Sequence, residues 1–258
     1  MFWRIGRKHM ATGGEEALSG DSRPPILYLR SFADDKTVYL EEEQLAGVFG
    51  PAGPFVAIGR PGERLPQLGA ARLYVADEDW QDRVLELMQR AQLVVLFGGE
   101  TPGLGWELRQ LRLHVDPHRV VFLVPHSEAS YEKFRSLMLQ AGFGAPAWPS
   151  EKERKHATFV AGLIRFGSDW TPRFVPLPKA VGKGIAYEAD PRFGGTGRVW
   201  AAMRMVGKDI GIRTASVPIS VVRPIYLLFR GAMVLMGWLT VLAIALLVIA
   251  YFLGFIPL

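Results

Sequence analysis

Short apolar segments alternate with segments of helical period over the first 166 residues of the chain. Residues 26–32, 55–58, 93–97 and 119–124 have the length and composition of buried strands. Apolar positions recur at helical spacing in residues 36–48, 77–90, 104–114, 131–140 and 152–166. This alternation predicts an α/β domain with a mainly parallel sheet of four strands, and a fifth near residues 145–148. Right-handed crossovers place helices on both faces, so the sheet is expected to be doubly wound.

The C-terminal end of the chain has a different pattern, because residues 231–258 contain no charged side chain. A helix needs about 20 apolar residues to cross the hydrocarbon core of a bilayer. The alternative, a buried core helix, is usually shorter and rarely apolar on every face. We therefore predict one C-terminal transmembrane helix over residues 231–258. Basic residues precede this helix and none follows it, so the N-terminal part is predicted to lie in the cytoplasm.

These patterns divide the chain into four parts. Residues 1–23 are rich in Gly, Ser and charge, which is typical of a flexible leader. Residues 24–166 form the α/β domain. Residues 167–230 are basic and show no clear period, and we interpret them as a linker that ends next to the membrane.

Composition narrows the classes of function. The chain of 258 residues has no cysteine, which excludes disulfides, thiolate metal sites and a cysteine nucleophile. Its histidines lack a spacing typical of metal ligands, so we expect no metal site. A net charge of +5 is modest for this length, and nucleic acid is not an expected partner.

Candidate chemistry lies in the loops that follow the predicted strands, because ligands of open parallel sheets bind beyond the carboxyl ends of the strands. The candidate binding residues are Arg30, Ser31, Phe32, Gly59, Arg60 and Trp106. Glu107, next to Trp106, is the candidate reactive carboxylate. Backbone amides, arginines, an aromatic ring and a carboxylate together suit a nucleotide ligand.

Each of these residues also has a purely structural interpretation. Glycines after a strand often serve only the geometry of a turn. Arg30 and Arg60 have carboxylates nearby in the sequence, with which they would form weak surface ion pairs. Trp106 is expected to be partly core, and the helix dipole alone favours Glu107 near the start of a helix.

Three segments resemble bacterial TIR-like domains and the related nucleoside deoxyribosyltransferase-like folds. They are residues 26–32, the Arg60-Pro61-Gly62 loop, and residues 93–108 with their Gly-rich turn before Trp106 and Glu107. The resemblance covers roughly residues 24–166, a size usual for one domain. It implies a flavodoxin-like sheet and a mobile loop after the second strand. In the catalytic members of the family a glutamate cleaves the nicotinamide-ribose bond of NAD, and the matching residue here is Glu107.

Two main functions follow from the resemblance. The first is a single-pass protein of the inner membrane that cleaves or senses NAD or a related nucleotide. NAD would then be a substrate, and no cofactor is expected. The second is a non-catalytic module that assembles with further copies of itself at the inner membrane, since many relatives only assemble. A third possibility is a structural role in which the domain binds nothing small.

Overall fold

A computed structural model describes residues 13–31, 39–59, 69–76, 78–179 and 191–215, together with Met236. Apart from Met236, all of them belong to the first of two compact units, Met1–Pro218. The strands are β1 (Ile26–Leu29), β2 (Phe55–Ile58), β3 (Ala71–Leu73), β4 (Leu93–Phe97), β5 (Val120–Pro125), β6 (Val160–Phe166) and β7 (Pro172–Pro176). The helices are α1 (Gly14–Gly20), α2 (Tyr39–Phe49), α3 (Trp80–Arg90), α4 (Pro102–His114), α5 (Glu128–Gln140) and α6 (Pro191–Asp209).

The described strands form one sheet in the order β3-β2-β1-β4-β5-β6-β7. β1 to β5 are parallel to one another, whereas β6 is antiparallel to β5 and β7 is antiparallel to β6. The predicted α/β architecture with a mostly parallel sheet is confirmed, with seven strands instead of four or five. After β3 the chain returns to the other side of β1, so the topological switch point lies between β1 and β4.

Helices cover both faces of the sheet because successive strand residues point to opposite sides. In β1, Leu27 and Leu29 join the core beneath α3, α4 and α5, whereas Ile26 and Tyr28 join the core beneath α2 and α6. All four side chains are at most 2% exposed. Strands buried on both faces have continuous apolar sequences, which is why the runs in β1, β4 and β5 could be recognised.

The predicted helix over residues 152–166 is wrong, and so is the strand near 145–148. Residues 160–166 form β6, where the ring of Phe174 in β7 occupies the space that a side chain at Gly162 would need. Residues 145–148 form no strand, because Trp148 packs 5.4 Å from the ring of Tyr131. The Tyr131 hydroxyl donates a hydrogen bond of 2.7 Å to the carbonyl oxygen of Pro146.

The interpretation of residues 167–230 as a linker is also corrected for the described part of that segment. β7 completes the sheet, and α6 buries Trp200 and Met203 in the core that it shares with α2. Within the described residues the domain therefore continues past residue 166 to residue 215.

The described part of the predicted leader, residues 13–23, contains one helix. Residues 14–20 form α1, which lies against the backbone of Arg72 in β3, and Glu15 forms an ion pair with Arg83 at 2.7 Å. Residues 1–12 lie outside the described part of the chain.

The predicted transmembrane helix falls outside the described residues, apart from Met236. No helix among the residues described here is both long and apolar enough to cross a bilayer. The spanning helix over residues 231–258 stays a prediction from the sequence.

Candidate functional site

The carboxyl ends of β1 and β4 meet at the switch point. Leu29 pairs with Leu96, so Arg30 and Ser31 continue from β1 beside the turn that follows β4. Alternation along β1 directs Arg30 towards α2 and Ser31 towards the face covered by α3 and α4. Ser31 is only 2% exposed and is therefore buried at this end of β1.

Arg30 lies in a buried cluster of charges. Its Nε atom is 3.4 Å from Oε2 of Glu42 in α2, and Arg72 of β3 donates to the same oxygen at 2.8 Å. Arg30 is thus paired with a buried carboxylate of α2, whereas the carboxylates expected to pair with it at the surface lie outside the described residues. Phe32 and Arg60, the other predicted residues of these two loops, lie outside the described residues.

Gly59 has a structural role that the sequence left open. Its N–H donates to the carbonyl oxygen of Leu73 at 2.8 Å, and the ring of Tyr74 occupies the space where a side chain at 59 would begin. The glycine therefore allows Tyr74 to lie over the end of β2. Tyr74 is 50% exposed and adds an aromatic surface to this edge of the sheet.

The Gly-rich turn after β4 closes tightly onto α5. The rings of Phe134 and Pro125 occupy the space that a side chain at Gly98 would need. The turn then leads to Thr101, whose hydroxyl accepts a hydrogen bond of 3.4 Å from the N–H of Leu104. Pro102 begins the helix, a position where its missing N–H costs nothing. The start of α4 is thereby fixed at the carboxyl edge of the sheet.

Trp106 joins α4 to α3. Its ring meets that of Trp80 edge to face, with ring centres 4.9 Å apart and planes at 70°. Both rings are partly buried against the core. Trp106 is therefore partly buried in the core, as one of the two interpretations predicted. Because it lies one residue before Glu107, it also anchors that turn of the helix.

Glu107 is a partly buried carboxyl group without a compensating partner. Burial raises the pKa of Glu107 to about 8. Burial is the only cause of this shift, and no hydrogen bond or charge among the described residues offsets it. At neutral pH the group is mostly protonated, and a cation placed beside it would favour the carboxylate. A carboxyl group poised in this way can act as an acid, a base or an electrostatic stabiliser.

A pocket of about 240 Å³ adjoins the Gly-rich turn at the ends of β4 and β5. Its polar lining includes Gly98, Gly99, His126, Ser127, Ser130 and Lys133. At its rim Lys133 forms an ion pair with Glu100 at 2.6 Å. The residues after β5 were not among the predicted site residues, although ligands of open parallel sheets bind in the loops that follow the strands.

Glu42, Arg72 and Tyr74 were also missed. Arg72 and Tyr74 lie in and directly after β3, a strand of three residues that is too short to give a periodic signal. Glu42 stands among other acidic residues in a segment of helical period, where a solvated position is the usual expectation.

Other parts of the described structure add nothing to this site. A larger cavity of about 540 Å³ lies between α6 and the strands β6 and β7. None of the predicted site residues lines this cavity or the pocket beside the Gly-rich turn. Among the described residues, no group of three or more His, Asp or Glu side chains is arranged to hold a metal ion.

Comparisons of the chain with protein-family models, with curated proteins and with solved structures gave no match. The likeness to TIR-like domains therefore rests on the three sequence segments alone.

Proposed function

We propose that this protein is a membrane-tethered, TIR-like enzyme that cleaves NAD or a related nucleotide at its glycosidic bond. The observation that supports the proposal most is Glu107, an unpaired carboxyl group with a pKa raised to about 8 in the helix that follows the switch-point turn. Strongly perturbed carboxyl groups in such positions are candidates for catalysis. The protein would span the inner membrane once, with its α/β domain in the cytoplasm.

The strand order supports a flavodoxin-like interpretation of the fold. When the short edge strand β3 is set aside, β2-β1-β4-β5-β6 follow the doubly wound order 2-1-3-4-5. In that order the ligand crevice lies between the first and third strands, which here are β1 and β4. β6 differs from the pattern because it is antiparallel to β5.

Cleavage would break the bond between the pyridinium nitrogen and the anomeric carbon of the ribose. The bonding electron pair leaves with nicotinamide, which becomes neutral, and positive charge develops on the ribose ring. A carboxylate near the anomeric carbon stabilises or attacks such an oxocarbenium-like centre, and water completes the hydrolysis. The cationic pyridinium would itself favour ionisation of Glu107, because an adjacent positive charge lowers the pKa of a carboxyl group.

The test is the release of nicotinamide from NAD by the purified full-length chain in detergent. Glu107→Gln is expected to lower turnover at least about 100-fold, a typical loss for a catalytic acid or base. For the wild-type protein, kcat/KM should rise with pH and level off above about 8, because this ratio reports the pKa of the free enzyme. Glu132→Gln, on the exposed side of α5, serves as the matched control.

Two outcomes would contradict the proposal. Equal turnover of the Glu107→Gln and Glu132→Gln variants would remove Glu107 from the mechanism. A folded protein that releases no nicotinamide at any concentration would instead favour the non-catalytic assembly module.

A further inference from the structure

A cluster of buried charged groups lies between the sheet and the first turns of α2. Oε1 of Glu42 accepts the N–H of Ala70 at 2.9 Å, and Oε2 accepts Nη2 of Arg72 at 2.8 Å. Nε of Arg30 lies 3.4 Å from the same Oε2. The side chains of Glu42 and Arg72 are 1% exposed and that of Arg30 is 6% exposed. The carboxylate of Glu42 thus contacts two guanidinium groups in a region that bulk water does not reach.

Arg72 has hydrogen-bond donors that this cluster does not satisfy. A guanidinium group carries five N–H donors and no acceptor. Nε and Nη1 of Arg72 are buried, and neither meets an acceptor in the described structure. The recorded hydrogen bonds of Glu42 go to the N–H of Ala70 and to Nη2 of Arg72, and none goes to Nε or Nη1 of Arg72. Buried donors without acceptors are costly and are rare in folded proteins.

The position of Arg72 in β3 brings it to the face of the sheet on which Arg30 lies, on the side of β1 away from the switch point. Arg72 is in register with Ala57, and Ala57 is in register with Tyr28. Arg72 therefore lies close to the carboxyl edge of the sheet, on the same face as Arg30, which follows β1 directly. Of the two guanidinium groups at Glu42, that of Arg30 is the more exposed.

We propose that Arg72 and Arg30 form an anion-binding site for a phosphate group, with Glu42 as a positioning residue that holds both guanidinium groups. The free edge of a guanidinium group can donate two parallel hydrogen bonds to phosphate oxygens. The assignment of this phosphate to a nucleotide rests on the proposed function, whereas anion binding itself does not. The alternative partner of these Arg72 donors is ordered water, which also satisfies buried donors.

The test compares phosphate-bearing ligands with chloride at constant ionic strength, using the full-length chain in detergent. Inorganic phosphate and ADP-ribose should each raise the thermal midpoint of the wild-type protein above its value in chloride, since a ligand that binds only the folded state stabilises it. Arg72→Met should weaken the affinity for both ligands at least about 10-fold, as expected when a charge-assisted hydrogen bond is lost. Arg72→Lys keeps the charge but loses the planar fork, so its affinity should be intermediate.

Arg90→Met is the matched control. Arg90 forms an exposed ion pair with Glu86 at 2.8 Å at the end of α3, so its loss should leave phosphate affinity unchanged. A wild-type midpoint that is the same in phosphate and in chloride would overturn the inference, as would equal affinities of Arg72→Met and Arg90→Met. Either result would leave water as the partner of the Arg72 donors. The wild-type comparison and Arg72→Lys keep the test decisive if Arg72→Met does not fold.

Phosphate binding by Arg72 and cleavage of NAD can be tested independently of each other. A protein that binds phosphate through Arg72 but releases no nicotinamide keeps the anion site and loses the enzyme. A protein that cleaves NAD with the same KM after Arg72→Lys, and shows no preference for phosphate over chloride, keeps the enzyme and loses the anion site.

Discussion

Glu107 makes the stability of the protein depend on pH. Its ordinary pKa of 4.5 rises to about 8 in the folded protein. Between these values the folded state holds a proton that the unfolded state releases, so the free energy of unfolding falls as pH rises through this window. The destabilisation is complete above about pH 8 and absent below about pH 4.5.

Glu107→Gln removes this titration. Relative to the wild type, the variant is expected to gain on the order of 2–4 kcal/mol of unfolding free energy between pH 5 and pH 9, allowing for partial solvent access. Urea unfolding at a series of pH values measures the difference between the two proteins. Parallel curves for wild type and variant would show that the group titrates normally, and Glu132→Gln gives the baseline for an exposed carboxylate.

The sequence predicted where the candidate side chains lie in the fold better than it predicted which residues they contact. Arg30 and Glu107 were expected at the carboxyl edge because they follow recognisable strands. Glu42 was not foreseen as a partner of Arg30, because it lies in a helix twelve residues away and meets Arg30 only once α2 folds back on the sheet. For Gly59 the partner explains the residue type. The neighbouring ring of Tyr74 leaves no room for a side chain at position 59, so the glycine does not require a ligand to explain it.

The Gly-rich segment between β4 and α4 contains glycines of two kinds. Gly98→Ala should lower the unfolding free energy by about 1–3 kcal/mol, because its methyl group would overlap the rings of Phe134 and Pro125. Gly103→Ala should raise it by about 0.5–1 kcal/mol, because 103 is a helical position whose nearest side-chain neighbour, Trp80, is 3.9 Å away. Chemical denaturation of the two single variants measures the contrast. If both substitutions had the same effect, the close packing of the turn onto α5 would be wrong.

Periodicity identified the longer elements and failed for the ambiguous ones. β1, β2, β4 and β5 and the helices α4 and α5 were found because each has a clear apolar run or helical spacing. A short apolar run such as 160–166 fits a strand or a helix equally well, and only its pairing with β7 decides. α6 was missed because its first turns contain Gly194, Gly195 and Gly197, which are poor helix formers. The burial of Trp200 and Met203 outweighs that preference.

The extent of the domain gives a prediction for truncated chains. A chain that ends at residue 166 would expose the apolar surface that α6 covers and leave β6 as an unpaired edge, so it should aggregate. A chain that ends at residue 215 keeps β7 and α6, and it should unfold in one cooperative transition. Only the full chain should remain with membranes after carbonate extraction, if residues 231–258 span the bilayer. Fractionation, followed by circular dichroism melting, measures these outcomes.

Two results would contradict this description. A stable, monomeric chain that ends at residue 166 would show that β7 and α6 are dispensable. A full-length chain that is released by carbonate would remove the membrane anchor from the proposal.

The backbone N–H of Ala215 donates to the carbonyl oxygen of Val48 at 2.8 Å, in the last turn of α2. α6 ends at the same edge of the sheet, where Asp209 pairs with Arg165 opposite the beginning of β5. The last described residues thus lie at the amino ends of the strands, whereas the candidate site lies at their carboxyl ends. If residues 231–258 anchor the protein to a membrane, a mechanical load on the tail would enter the domain through α2 and α6, at the end of the strands opposite to the candidate site.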